Sequence, residues 1–522
     1  MSKRSAKTHK VPEAQQASLL DVPESRSPRP VIEHVRFDVG DRARLFVGAI
    51  HLKKYLEDEG LSWVLRLAEL LEEVDWKPFE KSYMAGGRPP LHPRLVMGLI
   101  LYGMMLRQPS LRQLEALARR DVGAWWLSGG LTPDFTTFTK FIKRHREVLS
   151  EDFFVKTTWL IVKRLKLGKK SHDLGIDGTV MQAAASTAAA LKKEALAEEL
   201  EAAQHSGDEK KAAQLEKALD IAEERVDARK AAGKPGDTII VSPTEPEAVF
   251  QPQKKGDDFQ LSYKPTVAAH PSGLIVGQAL SPASETALVP SLLEQHERVF
   301  DALPQRVLAD AGFSSLQTLA LFVRLDIDAL IPSGKSSETR ALRSPYFQKT
   351  NFPWDPQANA PRCPAGLVMT GGHTALTDRH GNEFRSFRGA ACQSCPLRHK
   401  CTKAKHRYLK VFKDDELKVA MTEVMRQPGA QKAYRRRAVI VEPVFARLRA
   451  NGLTRFRRRG TSGVRVEFAL HCVAHNLRLL LWSTSGFVFA VCLVRRHGEP
   501  WNAVVVAARL DPTGDGQQAY VP

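Results

Sequence analysis

From His172 onward the apolar pattern changes period. Before that point, residues 41–165 read as helical, with apolar positions recurring every three to four residues in Trp63–Val74, Pro93–Leu106, Leu111–Ala118 and Phe135–Leu149. After it come short apolar runs bounded by breakers: HDLGIDGTV, FQLSYKPTVAA, GLIVGQAL, QRVLADAG and IDALIPS. These read as five strands. Two helical patches, Ala287–Phe300 and Ser314–Leu325, alternate with the later ones. A helical part followed by this alternation predicts a mixed α/β chain, with helices packed on a mixed sheet. Local signals mark helix starts: Pro93 fits a first helical position, while Ser110 and Asp134 fit N-caps.

Two aspartates stand at strand ends, Asp177 in GIDGT and Asp310 in LADAGF. Gly178 and Gly312 follow closely, where a missing Cβ leaves room for a phosphate or metal to reach the backbone. A third acid is conspicuous by its surroundings. Arg426 to Arg465 carries twelve Lys or Arg and one carboxylate, Glu442. Pro443 starts or kinks a helix there, and Arg449 lies seven residues on, on the same face. Singly, the aspartates could cap turns and Glu442 could pair with an arginine. Together, on a chain of net charge +19 and pI about 9.7, they point to magnesium-dependent work on a polyanion. Hard carboxylate oxygens suit Mg²⁺, and the surrounding cations suit a phosphate backbone.

The distances between these acids are long: 310 − 177 gives 133 residues and 442 − 310 gives 132. Both gaps should hold insertions. Residues 184–237 are rich in Ala, Glu and Lys and predict a helical hairpin broken at HSGD, exposed or used as a coiled-coil contact. Residues 336–413 contain Cys363, Cys392, Cys395 and Cys401. In a reducing compartment this spacing reads as a structural Zn²⁺ site, with His399 or His406 able to replace one thiol; the plain alternative is four free cysteines in a loop. Cys472 and Cys492 lie in apolar runs and read as core.

The chain resembles bacterial insertion-sequence transposases of the DDE type, which have a ribonuclease H-like catalytic core. GIDGTVMQAAAS resembles their first-aspartate motif, VLADAGFSS the second, and YRRRAVIVEPVFARLR the tyrosine–arginine–glutamate–lysine signature. In that signature the resemblance makes Tyr434, Arg437 and Glu442 the first three members, with Arg449 where lysine is usual. The Arg–Glu gap of four residues also departs from the commoner three, and an arginine keeps the charge of lysine but not its shape. SLRQLEALARRDVGAWWLSGGLTPDFTTFTKFIKRHRE resembles the N-terminal helical domain, where Thr136, Thr137, Lys140, Lys143, Arg144 and Arg146 would read the element's ends. Trp125 and Trp126 read as core anchors, and His475 and Asn476 as packing. Arg435–Arg437 and Arg455–Arg459 read as phosphate contacts.

The resemblance implies a chain that binds terminal inverted repeats and target DNA, cuts the ends with water and transfers the freed 3′-hydroxyl. Asp177, Asp310 and Glu442 would hold two Mg²⁺ ions (or Mn²⁺), and Tyr434, Arg437 and Arg449 would place phosphates. A homodimer is expected, since two ends are paired. The expected organisation is a disordered tail over 1–40, a helical DNA-binding domain over 41–165, and a core assembled from 166–183, 238–335 and 414–485. To it are added the two insertions and a C-terminal extension over 486–522. No apolar run approaches the roughly 20 residues of a membrane span, and MSKRSAKTHK lacks a secretory apolar stretch, so a cytoplasmic, nucleoid-associated protein is expected. Two other readings fit less of this pattern: a retired transposase acting as a zinc-containing DNA-binding regulator, and a nuclease on the same core.

Overall fold

The structure, a computed structural model, describes residues 35–509 apart from 87, 169–171, 232, 234, 237, 253–258, 333–345, 379–382, 414, 484–486 and 495–501. Most of the expected tail therefore lies outside the described residues. From residue 35 the chain is built into the helical part: Phe37 packs edge-on against Tyr83 and His92, and Asp38 bridges to Leu91.

The N-terminal helices form where the local chemistry favours them. Pro93–Met105 is buried along nearly its whole length and is the axis of this part. Around it lie α1 (Leu111–Arg120), α2 (Val122–Ser128) and α3 (Phe135–Arg144). Ser110 caps α1 in a reciprocal capping box with Gln113, and Asp134 caps α3 through the Thr137 N–H. The helix expected over Phe135–Leu149 breaks at His145. That ring is buried against Phe141 and Phe79, with centroids at 4.6 and 5.0 Å. Trp125 and Trp126 are half-buried and pack against a satellite core containing Leu52 and Leu56, as expected of anchors.

Five strands lie where the period change predicts them: β1 (Asp173–Gly178), β2 (Phe259–Ala269), β3 (Ile275–Ser281), β4 (Arg306–Ala309) and β5 (Asp328–Leu330). Their order across the sheet is β3-β2-β1-β4-β5. The first three are antiparallel neighbours, and β4 runs parallel to both β1 and β5. The helix α4 (Val289–Phe300) covers β3 and leads the chain across to β4. Two short strands, Met181–Gln182 and Val249–Pro252, extend the β2 side and were not anticipated. The Ala/Glu/Lys segment forms two packed helices, Lys193–His205 and Glu209–Ala231, with a small core of their own around Leu196 and Leu215. The cysteine-bearing segment contains a three-stranded antiparallel sheet, Thr370–Thr377, Glu383–Arg388 and Tyr408–Phe412.

Basic helices follow, including α5 (Glu442–Ala450) and the long α6 (Thr461–Ser483). The last described element is a hairpin of Phe487–Val494 with Asn502–Arg509, and the side chain of Cys492 lies outside what is described. One contiguous core runs from the N-terminal helices through the sheet to α6. Within α6, Asn476 bonds both the N–H and C=O of Ile275 on β3, at 2.9 and 2.7 Å, and the Thr158 hydroxyl at 3.1 Å. His475 reaches the Gly273 carbonyl at 3.0 Å. Arg66 donates to the Leu481 carbonyl at 3.0 Å, and Arg478 to that of Met105. Both His475 and Asn476 are structural, as expected.

The core also contains histidines that folding keeps neutral. Burial pushes His296 down to about 3 and His471 and His475 down to about 4. Their unfolded counterparts titrate near 6.5, so below that pH the unfolded chain binds more protons and is favoured. The stability these groups contribute is complete above about 6.5 and is lost as the pH falls toward 4. Each should cost about 2 kcal/mol by pH ~5. A melting temperature that stays level from about pH 7.5 to 5 would show that these rings are not held neutral.

Candidate active site

The sheet brings the two aspartates together by register. Arg306 pairs with Asp173 and Ala309 with Ile176, in parallel. One further step of the same register sets Asp310 opposite Asp177, on strands about 4.8 Å apart. The first gap in the sequence is therefore spanned by adjacent strands. Asp310 also does what the bland reading expected, since its Oδ1 accepts the Gly312 N–H at 2.8 Å and caps a short 3₁₀ turn.

Glu442 is brought in from the other end of the chain by packing. Ile440 and Val441 are buried and lie on β1 at Gly175. A Cβ there would stand 2.9 Å from Ile440 Cγ2 and 3.0 Å from Val441 Cβ, so only glycine admits the segment this closely. Gly175 precedes Asp177 by two residues, and Val441 directly precedes Glu442, the first residue of α5. Arg437 closes the arrangement. Its guanidinium lies 2.7 Å from Asp177 Oδ1 through Nη2 and 3.3 Å from Glu442 Oε1 through Nη1. Tyr434 is half-buried beside it. Burial raises its phenol above the usual range; Arg437 opposes that, and Asp310, Glu442 and Asp177 add to it. The phenol is thus within electrostatic reach of all three acids. Arg449, a turn or two along α5, donates to the Thr179 hydroxyl at 2.7 Å, just past the end of β1.

The space expected beside Gly178 and Gly312 is filled. The Glu285 carboxyl lies there, its Cδ and Oε1 both 2.8 Å from where a Gly178 Cβ would be and its Oε2 3.7 Å from a Gly312 Cβ. Gly178 serves to admit this carboxylate, which Lys264 faces at 3.4 Å, whereas a Gly312 Cβ would meet Asp310 Oδ1 at 2.9 Å. Glu285 precedes α4 and carries no motif, so no local signal marks it. Only its position just after β3, one strand turn from the site, could have marked it.

Among the described residues, no three His, Cys, Asp or Glu side chains are disposed to hold one metal ion. The acids nonetheless fit a divalent cation by one observation: Asp177 and Glu442 already converge on a single cationic group, the Arg437 guanidinium. The cysteines form a second gathering. Cys363, Cys392, Cys395 and Cys401 line one recess with Phe347 and Leu397. Burial raises the Cys401 thiol; Arg407 opposes this, and the other three thiols add to it, so Cys401 lies within electrostatic range of each of them. His399 and His406 instead bond backbone carbonyls, of Pro396 and Gly389. Cys472 is buried core, as expected.

On the helical part, the residues expected to read bases divide. Thr136 and Thr137 donate their hydroxyls to Asp134 Oδ1, at 2.9 and 2.7 Å, and so complete the cap of α3. Arg144 lies over the Tyr83 ring at 4.5 Å. Lys140 and Lys143 are exposed.

A family model for the transposase DDE domain matches residues 362–481, and a model for a transposase domain matches residues 53–144. Both matches are to transposase families, and together they indicate an insertion-sequence DDE transposase. No curated protein matches it closely enough to stand as a relative. The first match takes in Glu442, Tyr434 and Arg437 as well as the cysteines, and the second takes in α1 to α3; Asp177 and Asp310 lie outside both. The family brings with it a DNA substrate and the use of a divalent metal, typically Mg²⁺. No helix among the described residues of this transposase is long and apolar enough to cross a membrane.

Proposed function

We propose that this transposase cuts DNA at the ends of its element and joins the freed 3′-hydroxyl to target DNA, using Asp177, Asp310 and Glu442 as its metal ligands. The observation that carries this reading is the convergence of Asp177 and Glu442 on one cation, with Asp310 beside them on the neighbouring strand. The strand order and directions support a ribonuclease H-like core. Its two insertions are the helical hairpin and the cysteine segment. A bound pair of Mg²⁺ ions would activate the attacking oxygen and stabilise the charge on the leaving one.

The chain's own groups do the rest. The carboxylates set the site's negative charge. Arg437 holds Asp177 and Glu442 facing each other, and Tyr434, beside it, presents a protonated phenol to a phosphate. Arg449 orders the Thr179 turn behind Asp177. Glu285, screened by Lys264, adds a fourth carboxylate against the backbone that follows both aspartates. Two such chains would pair the two inverted repeats.

The test uses supercoiled plasmid bearing the element's ends. Mg²⁺-dependent nicking at the ends, followed by joining of a 3′-hydroxyl end to target, is the expected result. Cutting without joining would make the protein a nuclease, and binding without cutting would make it a regulator.

The four thiols are proposed to hold a structural zinc ion, which would stabilise a segment with only a small apolar core. Purified protein should contain about one zinc per chain. Cys395→Ser should lower that content and make the cysteine segment sensitive to proteolysis. Metal-free protein whose segment resists protease equally well would dismiss the zinc.

A further inference from the structure

A cleft of about 500 Å³ opens between the N-terminal helices and the core, away from the acids. One wall is Lys143 of α3 and Arg146, with the capped start of α1 at Ser110. The other is the Arg457–Arg459 loop and the first turn of α6. Five cations therefore face one cleft: Lys143, Arg146, Arg457, Arg458 and Arg459. Among the described residues none of them has a carboxylate within ion-pair distance, unlike Arg306, Arg436 and Arg437 elsewhere in the chain.

The one acid in the wall is already used. Glu467 is buried, and its carboxylate accepts the Arg457 N–H at 3.1 and 3.0 Å and the Arg458 N–H at 2.9 Å. The loop is pinned on both sides as well. Phe456 is fully buried and its backbone N–H donates to the Gln182 carbonyl at 2.9 Å, while the Thr461 N–H donates to Glu247. The arginines are thus carried on backbone that is fixed before any ligand arrives, which lowers the ordering cost of binding.

Five like charges with a single buried carboxylate behind them, and none in ion-pair contact, call for an anion. Guanidinium groups match phosphate oxygens in two-pronged geometry, and the cleft offers few neutral groups that could read a base. We propose that this cleft grips the phosphodiester backbone of one DNA strand as it passes from the N-terminal helices onto the core. The inference rests on the DNA substrate of the proposed function. It assigns Lys143 to phosphate rather than to base edges, and it makes the two walls one binding surface.

The experiment is binding of the full chain to an end-bearing duplex and to an unrelated duplex of equal length, over a range of salt. Lys143→Gln and Arg459→Gln should each weaken both duplexes by similar factors. Each should also flatten the salt dependence by about 0.9 in log–log slope, as expected for one lost phosphate contact. Because both would touch one stretch of strand, the double variant should lose less than the product of the single losses. Lys210→Gln, on the helical hairpin, should leave the slope as it is, and Arg459→Lys should restore most of it. Wild-type protein that binds DNA with a slope unmoved by either substitution would overturn the cleft alone. Wild-type protein without salt-dependent DNA binding would overturn the proposed function beneath it. A loss at Lys143 confined to the end-bearing duplex would return that residue to base reading.

Discussion

Asp177→Asn should reduce strand cleavage about a thousandfold or more while leaving binding to end DNA nearly intact. Asparagine has the shape of aspartate, and its amide oxygen can still accept from Arg437 Nη2, which now lies at 2.7 Å. The ion pair it weakens is mostly buried, with side chains 11% and 18% exposed, so a measurable drop in melting temperature is expected, limited because Glu442 still faces Arg437 at 3.3 Å. What disappears is the negative charge at the point where β1, β4 and the turn before α5 meet. Stabilisation of transition-state charge by a bound metal is worth several kcal/mol, and each 1.36 kcal/mol is about tenfold in rate. Nicking of plasmid and binding of labelled end DNA, measured on the same preparation, separate the outcomes. Cleavage within about tenfold of wild type would remove Asp177 from the metal site. Loss of cleavage and binding together, with a far larger fall in melting temperature, would mean a folding defect.

Gly175→Val should be nearly as damaging for a different reason. The position never touches substrate in this reading; it seats Ile440 and Val441. A Cβ would already approach them at 2.9 and 3.0 Å, and valine adds two methyl groups. Overpacking of this kind costs about 1–3 kcal/mol, and the segment rather than the central strand should yield. Glu442 follows Val441 directly, so the displacement reaches the acid. A misplacement of about 1 Å near reacting atoms can cost roughly a hundredfold. Cleavage should fall by about that factor, with a modest drop in melting temperature and normal DNA binding; Gly175→Ala should do less. Wild-type cleavage by Gly175→Val would show that Glu442 is positioned by something other than this contact.

How much of this could be read in advance depended on how local the cause was. The five core strands, the caps at Ser110 and Asp134 and the break at HSGD rest on neighbouring residues, and all stand where the pattern puts them. The short strands Met181–Gln182 and Val249–Pro252 exist only because β2 offers an edge, so their few residues give no signal alone. The approach of Glu442 to Asp177 was legible as a pairing of acids but not as a mechanism of assembly. Gly175, which permits it, looks like any glycine in a strand until Val441 is seen against it. Gly178 and Gly312 look like room for a ligand, because sequence shows the missing Cβ and not the carboxyls that take up the place, Glu285 at Gly178 and Asp310 at Gly312. Thr136 and Thr137 look like DNA-facing side chains for a similar reason. Helical spacing gives a side chain's direction, whereas the capping carboxylate of Asp134 takes up both hydroxyls.

The hydrogen bonds from α6 to Thr158, Met105 and Ile275 bear on how such a protein can evolve. A helix that is simultaneously a rib of the front half and a brace for the outer antiparallel strand cannot be inherited piecemeal. Chimeras that splice the first half of one such element's protein to the second half of another should misfold unless residues 461–483 travel with the front, so new end specificities must arise by surface change rather than by exchange of parts.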